Sequence, residues 1–130
     1  MQAAKSRFAV ARYYFIRDTK GRVISKLYVL VRDHVFWFAN IGTDRAHRRT
    51  GMAGSLIERA LLDFGDHEIY LRAIPYADRE KNAQQLTVFY GRYGFMATQI
   101  PNVLCRPADP ITQRDTRYRD PPMFHIMQGP

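Results

Sequence analysis

A basic turn with several glycines joins an apolar segment to a helical one near the middle of the chain. Arg48 and Arg49 precede Gly51, and Gly51, Ala53 and Gly54 carry little or no side chain. A turn that leads into a helix presents free backbone N–H groups and the positive end of the helix dipole, which together bind anions. The small residues let a phosphate approach the backbone closely. The segment therefore predicts a phosphate site, and a pyrophosphate would fit it.

The sequence lacks the two common patterns of nucleotide-binding turns. It has no G-x-x-x-x-G-K-[ST] segment, which disfavours the phosphate loop of nucleoside triphosphatases. It also has no G-x-G-x-x-G segment, which disfavours a dinucleotide-binding fold. The anion expected at Gly51 therefore belongs to another class of phosphate ligand.

The spacing Arg48-x-x-Gly51-x-Ala53, between an apolar strand and an amphipathic helix, resembles a known family motif. It is similar to the R/Q-x-x-G-x-G/A motif of the GNAT superfamily of acyl-CoA-dependent N-acetyltransferases. Leu56 and Ile57 extend the match, because the family usually keeps an apolar pair at that position. The resemblance is to a minimal version of the family, of a phage or bacterial kind.

A second stretch, residues 88–95, supports the resemblance. Its sequence Val-Phe-Tyr-Gly-Arg-Tyr-Gly-Phe is similar to the family's apolar-aromatic-Tyr-x-x-x-Gly-Phe ending, where a helix closes and a strand begins. The two motifs occur in the family's order, with a predicted strand at residues 69–74 between them. The likeness covers residues 35–95, less than half of the chain.

The resemblance implies both a fold and a ligand. The fold is α+β, or α/β-like, with two main helices and a mixed, mostly antiparallel sheet. This sheet would splay between a strand ending near Ile41 and one ending near Ile74, and acetyl-CoA would lie in the gap as co-substrate, without a metal. The residues expected to bind acetyl-CoA are Ile41, Gly42, Thr43, Arg48, Arg49, Thr50, Gly51, Met52, Ala53 and Gly54.

Tyr90 is the catalytic residue that the resemblance implies. Its hydroxyl would lie beside the thioester sulfur and donate a proton to the departing thiolate. The expected activity is that of an acetyl-CoA-dependent N-acetyltransferase acting on a primary amine. One branch of the family acetylates aminoacyl-tRNA, and other small members, found in phages, modify host proteins. The expected acceptor is thus a protein lysine, or an amine on aminoacyl-tRNA or nucleic acid.

The residue that deprotonates the amine stays open. The attacking amine must be neutral, and many family members supply a glutamate on the central strand or a chain of water molecules. Residues 35–41 contain no acidic side chain. Asp33, His34, Asp44 and His125 are the remaining candidates.

Two further features depart from the family pattern. The asparagine that the family often places seven residues before its tyrosine is replaced by Ala83, with Asn82 one position away. A tight turn at residues 18–21 stands where the family usually inserts one or two helices that wall the acceptor site. The acceptor side would then be open, which suits a macromolecule, or it would be completed by a second copy. A non-catalytic, basic nucleic-acid-binding module on the same fold is the alternative function.

Strand and helix patterns along the chain agree with an α+β fold. A helix is predicted from Gly51 to Gly65, where apolar residues recur at helical spacing, and a second one from about Asp78 to Tyr93, closed by Gly94. Residues 35–41 are apolar almost throughout, which predicts a central strand covered on both faces, with Trp37 in the core. Further strands are predicted at residues 7–17, 23–31, 69–74, 95–105 and 123–127, with a polar loop at residues 106–120.

Composition sets the broad class. The chain has 130 residues, enough for one domain spanning residues 1–130, and its 46% of apolar residues excludes a disordered tail. The net charge is +8, and the excess lies in residues 1–50, with 11 basic and three acidic side chains. Such a basic half attracts phosphates or acidic surfaces. The single cysteine, Cys105, and the lack of a long apolar segment predict a cytoplasmic protein without a membrane span. A monomer or homodimer is expected.

Overall fold

The described part of the chain forms a seven-stranded sheet with two α-helices. The structure, a computed structural model, describes residues 7–75 and 82–109, together with the backbone of residues 124–128. A short 3-10 turn, Arg45–His47, precedes the first helix. The strands are β1 (Ala9–Arg17), β2 (Val23–Arg32), β3 (Val35–Thr43), β4 (Ile69–Arg72), β5 (Met96–Ala97), β6 (Val103–Arg106) and β7 (Phe124–Gln128), and the helices are α1 (Met52–Phe64) and α2 (Ala83–Gly91).

The sheet is mixed and mostly antiparallel, which confirms the prediction. Its strands lie in the order β5-β6-β4-β3-β2-β1-β7, with β3 at the centre. Among the described strands, β3 and β4 run parallel and all other neighbours are antiparallel. A parallel pair needs a crossover connection, which α1 supplies here. The predicted C-terminal strand is present as β7 and forms the edge beside β1.

A tight turn joins β1 to β2 at residues 18–21, as predicted. The Asp18 carboxylate accepts the N–H groups of Lys20 and Arg22, each at 2.9 Å, and the Arg22 hydrogen bond is the main cause that lowers the pKa of Asp18. Gly21 takes φ +83°, a left-handed conformation that glycine adopts without strain. The chain therefore passes from β1 to β2 with no helix between them.

Both helices pack on the same face of the sheet. Helix α1 begins and ends where the periodicity predicts, and Gly65 is its C-cap. Burial of apolar surface on this face, at about 25 cal/mol per Å², is the main source of stability. The centre of the core is formed by Leu27, Val29, Phe38, Leu56, Ile57, Ala60, Ile69, Leu71, Leu86 and Tyr90, none of which is more than 7% exposed.

A polar cluster ties β1 to the last turns of α1. The buried Tyr14 hydroxyl donates to the Asp63 carboxylate at 2.5 Å. Arg12 and Arg59 also lie against this carboxylate, at 3.4 and 3.5 Å. Burial, followed by the Asp63 hydrogen bond, raises the pKa of Tyr14. The two arginines compensate the part-buried negative charge of Asp63.

The predicted coverage of β3 on both faces is wrong for the described part of the chain. Phe36 and Phe38 point toward the helices, where the Phe36 ring contacts that of Phe64 at 5.3 Å between centroids. Trp37 points the other way, is half-buried and contacts Tyr70 at 5.3 Å between centroids. Because side chains alternate along a strand and both helices occupy one face, Trp37 lies outside the main core.

The region after β4 differs in part from the prediction. Helix α2 begins at Ala83, and residues 78–81 of the predicted helix lie outside the described residues. The single strand predicted at residues 95–105 is instead the hairpin of β5 and β6. Its turn contains Pro101 and Asn102, and Asn102 has φ +63°, so the chain reverses there. Of the predicted polar loop, the described part ends at Asp109.

Within the described ranges, neither helix has the length and apolar character needed to cross a membrane.

Candidate active site

The parallel strands β3 and β4 separate toward their C-terminal ends. Their pairing covers three residue pairs and ends at Phe38 opposite Leu71. Strand β3 continues to Thr43, whereas the chain after β4 bonds away from β3, with the Ala73 N–H donating to the Asn102 carbonyl at 2.7 Å. The two strands thus open a V-shaped gap, and one edge of β3 beyond Phe38 lacks β4 as a neighbour.

A β-bulge in β3 lies beside this gap. Lys26 of β2 pairs with Gly42 and Tyr28 with Ala39, so two residues of β3 stand opposite one of β2. Asn40 takes φ +51° in the bulge, a value that asparagine tolerates better than most residues. A bulge bends the strand and increases its twist. The bulge was not predicted, although an asparagine inside an apolar strand was an available signal.

The loop after β3 is fixed by a side chain and by left-handed backbone. The Arg48 side chain reaches back so that its Nε donates to the Thr43 carbonyl at 3.1 Å. Arg49 takes φ +66° and Gly51 takes φ +83°. A β-carbon at Gly51 would meet no atom within 4 Å, so the conformation, rather than space, is what favours glycine there. These two residues turn the chain from β3 into α1.

The first turn of α1 points its N–H groups toward the loop. The first N–H groups of a helix have no intrahelical acceptor, and here they belong to Met52, Ala53 and Gly54. The N-cap residue is Gly51, which has no side chain to accept them, and the first turn contains no acidic residue. The helix end therefore combines free donors with the positive end of the dipole, as an anion site requires.

A cavity of about 200 Å³ lies between the end of β3, this loop, the start of α1 and one side of α2. The structure brings most of the predicted site residues together around it. Those that line it are Ile41, Thr43, Arg48, Arg49, Gly51, Met52, Ala53, Gly54 and Tyr90.

Two of the predicted ligand-binding residues do not line the cavity. Gly42 lies in β3, paired with Lys26 of β2. Thr50 is exposed, and its hydroxyl donates to the His47 carbonyl at 2.5 Å, which stabilises the loop. The lining residues that the sequence analysis did not assign to the site are His47, Ile74, Pro75, Leu86 and Phe89.

Gly54 has a packing role that the sequence analysis did not foresee. A β-carbon at this buried position would collide with the hydroxyl of Tyr93, in the turn after α2. Burial is the main cause that raises the pKa of Tyr93, with the negative charge of Glu58 next. The absence of a side chain at Gly54 therefore lets α1 and the end of α2 approach closely.

Tyr90 combines a core position with a place in the cavity wall. It is 7% exposed, and its ring meets those of Phe89 and Phe95 edge to face, at 5.2 and 6.2 Å between centroids. These contacts hold the ring in one orientation against the cavity. The buried position of Tyr90 is thus compatible with the catalytic role that the resemblance implies.

The cavity is basic at one end and apolar at the other. Arg48, Arg49 and the start of α1 form the basic end, and Leu86 and Phe89 are part of the apolar wall. Such an arrangement suits an elongated ligand with an anionic head and a less polar arm.

The four candidate bases lie at different distances from the cavity. Asp33 and His34 form the turn before β3, at the end opposite the cavity, roughly 25 Å away at 3.3 Å per residue. His125 is on β7, three strands from β3, or about 14 Å. Asp44 follows β3 directly and lies at the cavity end, with its carboxylate 3.4 Å from the imidazole of His47.

Within the described residues, no group of three or more His, Cys, Asp or Glu side chains is placed to hold a metal ion.

Three solved structures that resemble this fold carry the description acetyltransferase. A protein described as "histone acetyltransferase HPA2 and related acetyltransferase" from Corynebacterium glutamicum has a TM-score of 0.53 and 20% identity, over 78% of this chain and 68% of that one. A protein described as an acetyltransferase from the GNAT family, from Bacteroides thetaiotaomicron, has a TM-score of 0.55 and 14% identity, over 79% of this chain and 65% of that one. A protein described as an acetyltransferase, from Agrobacterium tumefaciens, has a TM-score of 0.50 and 18% identity, over 75% and 77%.

No family model and no curated protein sequence matches the chain. At 14–20% identity, the likeness to the solved structures shows the fold. The chain therefore has the fold of the GNAT acetyltransferases, as the resemblance implied.

Proposed function

From this GNAT acetyltransferase fold, we propose that the protein transfers an acetyl group from acetyl-CoA to a primary amine. The observation that carries the proposal is the cavity in the gap between β3 and β4, which opens onto the first turn of α1. Its anion site, its apolar wall and the edge of β3 beyond Phe38 would correspond to the pyrophosphate, the thioester end and the amide-bearing arm of acetyl-CoA.

Acetyl-CoA would bind mainly through backbone groups. The N–H groups of residues 49–54 would hold the pyrophosphate, with Arg48 adding a positive charge beside it. The edge of β3 at Ile41, Gly42 and Thr43 would pair with the amides of the pantetheine arm, because β4 has already left that edge. Gly42 would then contribute through its backbone.

The reaction would be a direct attack of the neutral amine on the thioester carbonyl. The new C–N bond forms as the C–S bond breaks, the amine passes a proton to water, and the CoA thiolate takes one from the Tyr90 hydroxyl. Holding the amine and the thioester in line would supply much of the rate enhancement, and a backbone N–H would polarise the carbonyl. Tyr90 would be reprotonated from solvent after product release.

The acceptor would be a macromolecule. The tight turn at residues 18–21 leaves no helix between β1 and β2 to wall the acceptor side. A protein lysine, or an amine on aminoacyl-tRNA or another nucleic acid, would fit such an open approach. We further propose that the protein works in the cytoplasm, as a monomer or homodimer.

The test is release of free CoA thiol from acetyl-CoA in the presence of candidate amines: a lysine peptide and an aminoacyl-tRNA. Tyr90→Phe should lower turnover at least about tenfold, since proton donation contributes 10²–10⁴-fold in typical cases. Acetyl-CoA affinity should stay within a factor of about two, as the ring remains in place. Tyr93→Phe, a hydroxyl deletion just beyond α2, is the matched control and should leave turnover unchanged.

Two results would contradict the proposal. Equal turnover in the Tyr90→Phe variant and the wild type would remove Tyr90 from the mechanism. No turnover with either amine, combined with a salt-sensitive affinity for nucleic acid that needs no acetyl-CoA, would favour the alternative of a non-catalytic nucleic-acid-binding module.

A further inference from the structure

The sheet face opposite the helices, here called the aromatic face, carries a group of aromatic side chains. Alternation along β1, β2, β3 and β4, with the register between them, places these side chains on one surface. Neither described helix packs on this surface. Its aromatic residues are Phe8, Tyr13, Phe15, Tyr28, Trp37 and Tyr70.

The rings on the aromatic face form contacts that leave them partly accessible. Tyr13 and Tyr28 meet edge to face at 4.8 Å between centroids, and Phe8 meets Trp37 in the same way at 6.1 Å. An edge-to-face contact leaves a face of at least one ring available for stacking. Phe8 is 46% exposed, and Tyr13, Tyr28 and Trp37 are half-buried. The surface therefore offers several flat, apolar rings side by side.

Positive groups lie directly on these rings. The pairs are Arg17 on Phe15 at 4.8 Å, Lys26 on Tyr28 at 5.8 Å and Arg32 on Phe8 at 5.2 Å, each from cation to ring centroid. Two carboxylates lie beside these groups: Glu68 accepts the Tyr70 hydroxyl at 2.6 Å, and Asp33 lies 3.9 Å from Arg32. Cations thus outnumber carboxylates among these described groups.

This combination has a specific binding chemistry. Single-stranded nucleic acids bind surfaces where bases stack on aromatic rings while cations contact the phosphates, and sheet faces with exposed aromatics are one common form. Protein–protein interfaces are also rich in aromatic residues and arginine, but lysine is depleted from them, whereas here Lys26 lies over the ring of Tyr28. The charge excess of the chain also lies in residues 1–50, a range that includes β1, β2 and β3.

We propose that the aromatic face binds single-stranded nucleic acid, with bases stacked on Tyr28 and Trp37 and phosphates held by Arg17, Lys26 and Arg32. A duplex would bind more weakly, because its bases are already stacked on each other. The strand would lie beside the point where β3 and β4 separate, since Trp37 pairs with Tyr70 just before the gap opens. The proposal does not depend on acetyl transfer.

The single tryptophan of the chain, Trp37, provides a direct probe. A single-stranded oligouridylate of about 12 nucleotides, within the usual site size, should quench Trp37 emission in a saturable way. The anisotropy of the same oligonucleotide carrying a dye should give the same Kd, which should rise with salt. Duplex RNA of equal length should leave the emission nearly unchanged. Binding that raises the anisotropy without changing Trp37 emission would place the strand elsewhere and overturn the proposal.

Paired variants separate stacking from general charge. Tyr28→Leu should weaken binding about tenfold, as expected for the loss of one stacked base, whereas Tyr28→Phe keeps the ring and should bind like the wild type. Lys26→Gln should lower the slope of log K against log salt by about 0.7. Arg92→Gln, which removes an exposed cation just after α2, should leave the slope unchanged.

Thermal melts establish that each variant is folded, and Tyr28→Phe and Lys26→Gln alter only one polar group each. Equal affinities for Tyr28→Leu and Tyr28→Phe, or equal salt slopes for Lys26→Gln and Arg92→Gln, would contradict the proposal. So would a wild-type dimer in sedimentation that Tyr28→Leu dissociates, because a second copy would then cover the face. Acetyl-CoA affinity is measured separately, so either proposal can fail alone.

Discussion

The close approach of Tyr93 to Gly54 predicts how Gly54→Ala changes the free energy of unfolding. The sign of that change depends on the Tyr93 hydroxyl oxygen. Replacing Gly54 by alanine adds a methyl group that collides with the Tyr93 hydroxyl. Overpacking of this kind costs about 1–3 kcal/mol. Alanine in place of glycine inside a helix otherwise stabilises the folded state by about 0.5 kcal/mol. Gly54→Ala alone should therefore lower the free energy of unfolding by about 1–2 kcal/mol.

Removing the hydroxyl should reverse the effect. In a Tyr93→Phe background the nearest atom to the new methyl is the ring carbon that bore the hydroxyl, at 3.4 Å, an ordinary contact distance. There, Gly54→Ala should raise the free energy of unfolding by about 0.5 kcal/mol. The two substitutions should thus couple by about 2 kcal/mol.

Urea denaturation of the wild type, both single variants and the double variant measures this coupling. At this chain length, 1 kcal/mol corresponds to a shift of about 4 °C in Tm, so thermal melts give an independent value. Additive effects, with a coupling below about 0.5 kcal/mol, would show that the Tyr93 ring turns aside freely. The close approach of α1 to the end of α2 would then not be the reason for glycine at position 54.

Three further predictions follow from hydrogen bonds and pKa values. Tyr14→Phe should lower the free energy of unfolding by about 2 kcal/mol, because it removes a hydrogen bond to the Asp63 carboxylate. The pKa of Tyr14 is raised in the folded state, so wild-type stability should fall as pH rises above about 10, and less so in Tyr14→Phe; equal pH profiles would contradict this. Asn82→Ala should cost about 1 kcal/mol through loss of the capping box with Gln85, and Asn82→Asp should restore most of it in the same melts. Burial, the larger cause, and Glu68 raise the pKa of the Cys105 thiol, so iodoacetamide at pH 8 should alkylate it more slowly than in the urea-unfolded chain.

Local patterns were enough to predict most of the elements. The apolar residues of α1 recur at helical spacing and are buried on one side, so its bounds could be predicted closely. The turn at residues 18–21 could be predicted because Asp18 and Gly21 have the chemistry that such a turn needs. The turn from β3 into α1 could be predicted for the same reason, since Arg48, Gly51 and Ala53 act through spacing along one segment, and phosphate binding at this turn stays a prediction.

Features that depend on distant contacts could not be predicted. An apolar strand such as β3 gives no sign of how many faces are covered, so Trp37 was assigned to the core. The apolar residues Leu86 and Phe89 have the spacing of a core-facing stripe, and only the gap between β3 and β4 turns them into a cavity wall. Asn82 could be read only as a shifted family residue, although its side chain is the N-cap of α2.

The glycine at position 54 illustrates the same limit. From the sequence, its lack of a side chain predicts space for a phosphate. In the structure, that space is taken by Tyr93, which lies 39 positions further along the chain. The cavity still includes Gly54, so its backbone N–H keeps the proposed role while its missing side chain serves packing.

The most direct test of the central claim is a calorimetric titration with acetyl-CoA of the wild type, Gly51→Asn and Gly51→Asp. Both variants can adopt the left-handed conformation of Gly51 and have the same shape, but only aspartate adds a negative charge at the anion site. Like charges about 4 Å apart repel by roughly 1–4 kcal/mol, so Gly51→Asp should bind at least about fivefold more weakly than Gly51→Asn.

The account predicts binding to the wild type, a modest loss for Gly51→Asn and a large further loss for Gly51→Asp. Acetyl-pantetheine, which lacks the pyrophosphate, should bind weakly to all three proteins and show no dependence on charge at position 51. Two results would contradict the claim that the gap between β3 and β4 is an acetyl-CoA site. One is no binding of acetyl-CoA to the wild type at millimolar concentration, and the other is equal affinity of Gly51→Asn and Gly51→Asp for acetyl-CoA.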